Sequence, residues 1–177
     1  FGLIRIRVEY QQGKGYAVRD IRQYKASGAH AALGSNIIYS IVRDADPDIL
    51  CLGTRGGGIV RFDTRREQFE NTDAPVETVG EKNSDVLSLI QGVDGGLWAG
   101  TSYGLNRLVK KDGQMRITGF PGENELGDPA VHGIVEDLAG NLWISTGNGI
   151  TCIDQLSGKT IQYTSRNGLQ NDEFSDG

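Results

Sequence analysis

Three segments of the chain carry one pattern: "ILCLGTRGGGIVRFD" at 49–63, "GLWAGTSYGLNRLVK" at 96–110 and "NLWISTGNGITCID" at 141–154. Thr54, Thr101 and Thr146 fall at matching positions, 47 and then 45 residues apart. A catalytic loop normally occurs once, whereas a recurring string is architectural. A unit of that length is one supersecondary element that cannot bury its apolar face alone and must stack on its neighbours. Composition agrees. With 26 glycines, 4 prolines and 37% hydrophobic residues in 177, the chain suits short strands joined by tight turns.

Each unit reads as four strands. The first is a hydrophobic run: "NIIYSIVRD" (36–44), "DVLSLIQG" (85–92) and "AVHGIVED" (130–137). A polar turn leads to the second strand, Leu-Trp-x-x-Thr in two units, with Cys51 in place of Trp in the other. A glycine turn opens the third ("GIVRF", "GLNRL", "GITCI"), and the fourth is shorter and more polar ("EQFEN", "RITGF", "KTIQYT"). No window sustains a 3.6-residue apolar period. Four strands in about 45 residues is the signature of a propeller blade. The fold expected is all-β: a β-propeller fragment of about three and a half four-stranded antiparallel blades. The expected divisions are a half blade at 1–33, blades at 34–80, 81–126 and 127–165, and the start of another at 166–177. In the half blade, "FGLIRI" matches third strands and "DIRQYKA" matches fourth strands. The opening "FGLIRIRVEY" reads as mid-strand, so the chain is expected to be a piece of something longer.

Local details follow from that geometry. Ser40, Ser88 and Gly133 share one register in the first strand, where innermost strands converge and only small side chains fit. Leu97, Trp98, Leu142 and Trp143 are expected to be buried between facing sheets. Glycines after Thr101 and Thr146 permit hairpin turns with φ > 0. Cys51 and Cys152 have no neighbouring partner spacing, so both are expected to be small core residues rather than metal or redox groups.

A net charge of −5 argues against a nucleic-acid surface, which needs a basic stripe. No stretch approaches the ~20 apolar residues of a spanning helix, so no direct membrane insertion is expected. "RGGGIV" (55–60) lacks the Lys-Ser/Thr ending of a phosphate loop and reads as a hairpin turn. Asp46, Asp48, Asp94 and Asp137 lie in turns before the second strand, where a carboxylate can hold backbone N–H groups. No carboxylate pair, metal cluster or cofactor motif stands out, so no catalytic, metal or cofactor site is assigned. His30 is expected in solvated loop. Ligand contacts in propellers come from one rim of the ring. The candidates there are Arg55, Tyr103 and Asn148 from the turns between second and third strands, and Asn36, Asn83, Asp85 and Asp128 from the links between blades. His132, in an innermost strand at the register of Tyr39 and Leu87, completes the set.

"GLWAGTSYGLNRL", "VEDLAGNLWISTGNGITCID" and "YTSRNGLQNDEF" resemble the two-component regulator propeller repeats of bacterial, Bacteroides-type hybrid two-component sensor histidine kinases. The resemblance runs over most of 36–177 and more loosely over 1–33. Cys51 in place of Trp and Ser145 in place of Gly depart from it. It implies an extracytoplasmic, periplasmic sensor region: a seven-bladed propeller, followed in the parent chain by a small β-sandwich, a membrane helix and a cytoplasmic kinase. It further implies an oligosaccharide or similar ligand and phosphorelay signalling; that the propeller itself performs no chemistry is expected from the lack of a convergent acid–base pair or metal cluster. Two other readings stand beside it, a propeller enzyme acting on polysaccharides or antibiotics and a scaffold for protein partners. An arc of this size leaves apolar faces and a strand edge open, so two copies of the fragment are also expected to associate, whereas an intact chain would cover the same faces with its own further blades.

Overall fold

A computed structural model describes residues 2–71, 85–111, 114–120 and 129–174. Its strands fall into one hairpin and three four-stranded sheets, all antiparallel and each in simple sequence order. The hairpin pairs β1 (Leu3–Gln11) with β2 (Gly15–Tyr24). A 3-10 turn at Gly28–Leu33 leads to blade I: β3 (Ile38–Arg43), β4 (Ile49–Thr54), β5 (Gly58–Asp63) and β6 (Gln68–Asn71). Blade II holds β7 (Val86–Gln91), β8 (Leu97–Thr101), β9 (Gly104–Lys111) and β10 (Gln114–Gly119). Blade III holds β11 (Gly133–Glu136), β12 (Asn141–Thr146), β13 (Gly149–Asp154) and β14 (Thr160–Tyr163). This is a partial β-propeller.

The cores lie between sheets, not within one central interior. Alternation along each strand sends one set of side chains to the preceding sheet (the leading face) and the other to the following sheet (the trailing face). Leu3 and Tyr24 of the hairpin meet Leu33, Leu52, Val60 and Phe62 at the first seam. Cys51 and Ile59 of blade I meet Leu89, Leu97, Ala99 and Leu108 of blade II at the second. Trp98 and Leu105 meet Val131, Ile134, Leu142, Ile144 and Ile153 at the third.

The register identifies the hairpin as the third and fourth strands of a blade. Leu3 pairs with Tyr24 as Ile150 pairs with Tyr163. Gly2 and Gly149, both with positive φ, lie so close to the Tyr24 and Tyr163 carbonyls that an added Cβ would collide with them. The hairpin runs on past this match to a turn at 12–14.

The small residues of the innermost strands have a partner. Ser40 faces Gly53, Ser88 faces Gly100, and Gly133 faces Ser145. A Cβ on either of the first two glycines would run into the facing serine Oγ, and one on Gly133 would come 2.9 Å from Ser145 Oγ. Each pair therefore has room for one hydroxymethyl group. Gly53 and Gly100 also admit the next blade, whose Val86 and Val131 carbonyls would sit 2.9 and 2.6 Å from an added Cβ.

Three expectations need correction. Trp98 is 5% exposed between blades II and III, but Trp143 is only half-buried. It lies on the trailing face of blade III, which no described sheet covers, and stacks on Tyr163 at 5.6 Å. Cys152 shares that face and is likewise only partly buried, whereas Cys51 is in the core. His30 is not in solvated loop: it is half-buried, edge-on to Tyr24 and Phe69 at 5.2 and 5.8 Å.

Candidate functional site

The rim begins with the repeated threonine. Thr54, Thr101 and Thr146 are 1% exposed or less and end the second strand of each blade. Thr54 Oγ1 donates to Gly58 O at 2.9 Å, and Thr101 Oγ1 donates to Gly104 O at 3.0 Å. Thr101 Oγ1 accepts Tyr103 N–H at 3.1 Å, and Thr146 Oγ1 accepts Asn148 N–H at 3.0 Å. Each threonine thus pins the turn that follows, and the recurrence seen in the sequence is a turn-holding device.

These turns share one face with the links between blades. Arg55 N donates to Ile37 O at 3.0 Å, and Ser102 N donates to Asp85 O at 3.1 Å. Val131 N reaches back to Thr101 O, and Phe174 N to Thr146 O. The structure therefore brings Arg55, Asp85, Tyr103, Asn148 and His132 to the same rim. Arg55 Nε lies 4.0 Å from Asp85 Oδ2, joining the turn of blade I to the link before blade II. Both side chains are solvated, so the pair contributes little to stability and leaves both groups open to solvent. Tyr103 is 49% exposed at its turn tip. Asn148 is exposed, and its carbonyl accepts Gln162 Nε2–H at 2.8 Å. Asn36 is occupied structurally, since its Oδ1 accepts Ala26 N–H at 2.7 Å. Asn83 and Asp128 lie outside the described residues.

His132 belongs to a set. The innermost strands of blades I and II have register shifts between Ile38 and Ser40 and between Val86 and Ser88, leaving Tyr39 and Leu87 unpaired. His132 stands at the same register, just ahead of the first pair of β11, and its N–H donates to Ser145 O at 2.9 Å. Bulges re-aim a side chain out of the strand's alternation. Tyr39, half-exposed, and Leu87 were not among the sequence candidates. The signal was present, because both align with His132 in the repeat.

The carboxylates of the opposite rim hold turns. Asp137 Oδ1 accepts Ala139 N–H and Asn141 N–H, both at 2.9 Å. Its Oδ2 accepts Trp143 Nε1–H at 2.9 Å and Asn141 Nδ2–H at 3.0 Å. The indole N–H first, and then the Asn141 donors, pull its carboxyl down to about 2. At the matching position of blade I, Asp44 Oδ2 accepts the Cys51 thiol at 3.4 Å. Burial first, with the Asp44 charge behind it, pushes that thiol up to about 12, so it stays protonated and unreactive. Blade II has Gly92 there, and the buried Trp98 Nε1 has no acceptor. Its ring instead carries the Arg107 guanidinium 4.9 Å from its centroid, with Arg107 also paired to Asp94.

Two clefts lie away from the rim candidates. One of about 200 Å³ sits between blades I and II beside Asp44, Asp46, Arg61 and Gln91. The other, about 640 Å³, lies between the hairpin and blade I beside Arg22, Tyr24, His30, Arg66, Glu67 and Phe69. Glu67, with φ of 55°, accepts hydrogen bonds there from Arg5, Arg22 and Tyr24. Every charged group in this second cleft has an opposite partner, since Arg5 and Arg22 also pair with Asp20 and Arg66 pairs with Asp63 and Glu70. Its arrangement ties the hairpin to blade I. Among the described residues no group of three His, Cys, Asp or Glu is placed to hold a metal ion. No helix among them is long and apolar enough to cross a membrane.

No protein-family model matches the sequence, and comparison with curated proteins finds no match. Solved structures do match in fold. The extracellular domain of a proposed hybrid two component system from B. thetaiotaomicron superposes with a TM-score of 0.68 and 24% identity, over 94% of this chain and 21% of that one. A second such domain from the same organism gives 0.63 and 20% identity over 88% and 21%. The chain thus spans about a fifth of the length of these structures. A catalytically inactive variant of virginiamycin B lyase from Staphylococcus aureus, crystallised with quinupristin, gives 0.55 and 14% identity over 91% and 60%.

Proposed function

We propose that this chain is a non-catalytic segment of the extracytoplasmic, periplasmic sensor region of a two-component signalling protein. In this reading the propeller binds an oligosaccharide or a similar polar ligand, or transmits its binding, and the histidine kinase lies elsewhere in a longer parent chain. The observation that carries it is the superposition of nearly the whole chain on extracellular domains of hybrid two component systems. The repeat resemblance adds the same direction from the sequence alone.

The ligand contacts belong to the rim. Tyr103 offers an aromatic face at a turn tip, Arg55 and Asp85 offer a hydrogen-bonding pair, and Asn148 and His132 extend the surface across blade III. The sequence adds Asn83 and Asp128 as candidates, both outside the described residues. Calorimetric titration of a panel of oligosaccharides tests the reading. Binding without turnover, weakened about ten-fold by Tyr103→Ala at unchanged melting temperature, is the expected result, equivalent to about 1.4 kcal/mol. Cleavage of a polysaccharide or antibiotic by the purified chain, abolished by one rim substitution, would replace the sensor reading with an enzymatic one.

A further inference from the structure

Each innermost strand holds one residue that neither neighbouring sheet claims. In β3, Ile38 packs toward the hairpin, whereas Ser40 faces Gly53 on the side where Val86 of blade II stands. In β7, Val86 packs toward blade I, whereas Ser88 faces Gly100 on the side where Val131 of blade III stands. Before and within β11, Val131 and Ile134 both pack toward blade II, which leaves Gly133 on the opposite face. Residues two apart in a regular strand share a face. Here each such pair is split between the leading and trailing faces, and the residue between them is the extra one. Those residues are Tyr39, Leu87 and His132.

With both faces taken and β4, β8 and β12 on the outer side, the remaining direction in the plane of each sheet is toward the axis on which the innermost strands converge. Seams inside the chain fix that direction, so it is independent of what covers the end faces. Tyr39 is 37% exposed there, and Leu87 and His132 are part-buried. The position lies just inside the rim, because Ile38 pairs with Thr54 and Val86 with Thr101, the threonines that pin the rim turns. Tyr39, Leu87 and His132 thus form a step one residue inward of the rim that carries Arg55, Asp85 and Tyr103.

This step presents an aromatic ring, an aliphatic side chain and an imidazole, with no carboxylate, lysine or arginine among the three. The Arg55 guanidinium above it has the Asp85 carboxylate 4.0 Å away, which offsets its charge. A sugar ring is apolar on its C–H face and polar at its hydroxyl edge, which suits an aromatic and aliphatic wall beside a donor–acceptor pair. A uronic acid or sulfate group is best held by an unopposed guanidinium or ammonium, and here it would also meet the Asp85 carboxylate. We infer that Tyr39, Leu87 and His132 form the inner wall of the ligand site and select an uncharged saccharide over an acidic one. This rests on the sensor reading and narrows its ligand class.

Calorimetric titration of the purified chain with neutral oligosaccharides, and with uronic-acid-containing or sulfated ones, tests the inference. The tightest neutral oligosaccharide should bind at least about ten-fold more tightly than the tightest acidic one. Tyr39→Ala should weaken neutral binding about ten-fold at unchanged melting temperature, and Tyr39→Phe, which keeps the ring, should not. Should the Ala variant melt early, Tyr39→Leu keeps the apolar bulk and removes only the ring. Leu87→Lys should weaken neutral binding and strengthen acidic binding, because it adds an unopposed cation to the wall. Preference for an acidic oligosaccharide, or neutral binding that Tyr39→Leu and Leu87→Lys leave unchanged, overturns the inference while the sensor reading stands. A folded chain that binds no oligosaccharide of either kind removes the sensor reading, and the inference with it.

Discussion

At the scale of single residues, position in the stack decides what an identical side chain is worth. Trp98 and Trp143 occupy the same place in their repeats, yet one is enclosed between two sheets and the other has a sheet on one side only. Trp98→Ala should cost about 3 to 5 kcal/mol, the range for a large core aromatic. Trp143→Ala should cost about half as much, because only part of its area leaves water and its N–H bond to Asp137 is solvent-edged. Urea midpoints of the two variants check this, and equal losses would mean that blade III is covered. The Asp137 carboxyl supplies a pH signature. Its folded-state pKa of about 2 lies below the ordinary 3.8, so its contribution is complete above the ordinary value and is lost as pH falls through the folded one. Urea unfolding between pH 5 and about 2 should show the wild type converging on Asp137→Asn as the carboxylate protonates. A gap that persists to the lowest pH would assign the effect to geometry rather than charge.

At the scale of the element, the paired serine and glycine of the two inner strands act as one unit. Gly133→Ser places a second hydroxymethyl against Ser145 and should cost about 1 to 3 kcal/mol by overpacking. Adding Ser145→Gly should recover most of that loss, giving a favourable coupling in a double-mutant cycle. The same exchange in blade II, Ser88→Gly with Gly100→Ser, should not recover it, since the Val131 carbonyl also stands where the new Cβ would go. Thermal melts of the two double variants provide the comparison. The small residues of the first strands were legible in the repeat, and so was the Ser145 departure. That each serine and glycine form a facing pair was not, because the pairing depends on how β3 is bulged against β4 and β7 against β8.

For the whole molecule, stability is the sum of sheets and the seams between them, as in any stacked repeat. Blades I and II each have a packed seam on both faces, the hairpin and blade III on one each. Amide hydrogen exchange under native conditions should therefore be slowest in the middle strands of blades I and II, β4, β5, β8 and β9, and fastest beyond Val8 in the hairpin, where the side chains are exposed. Uniform protection across all four sheets would contradict a seam-by-seam account.

The repeat by itself determined the architecture. A 45-residue period, four hydrophobic runs per unit and glycine turns admit few folds other than stacked four-stranded sheets, because each sheet must cover the next. It also placed Arg55, Tyr103, Asn148 and Asp85 on one rim, since strand count sets which loops share a face. Tertiary structure alone decided the rest. The approach of Arg55 to Asp85, the enclosure of His30 by Tyr24 and Phe69, and the half-exposure of Trp143 all arise between sheets. A one-dimensional pattern records which face a residue is on. What lies opposite that face depends on the neighbouring sheet.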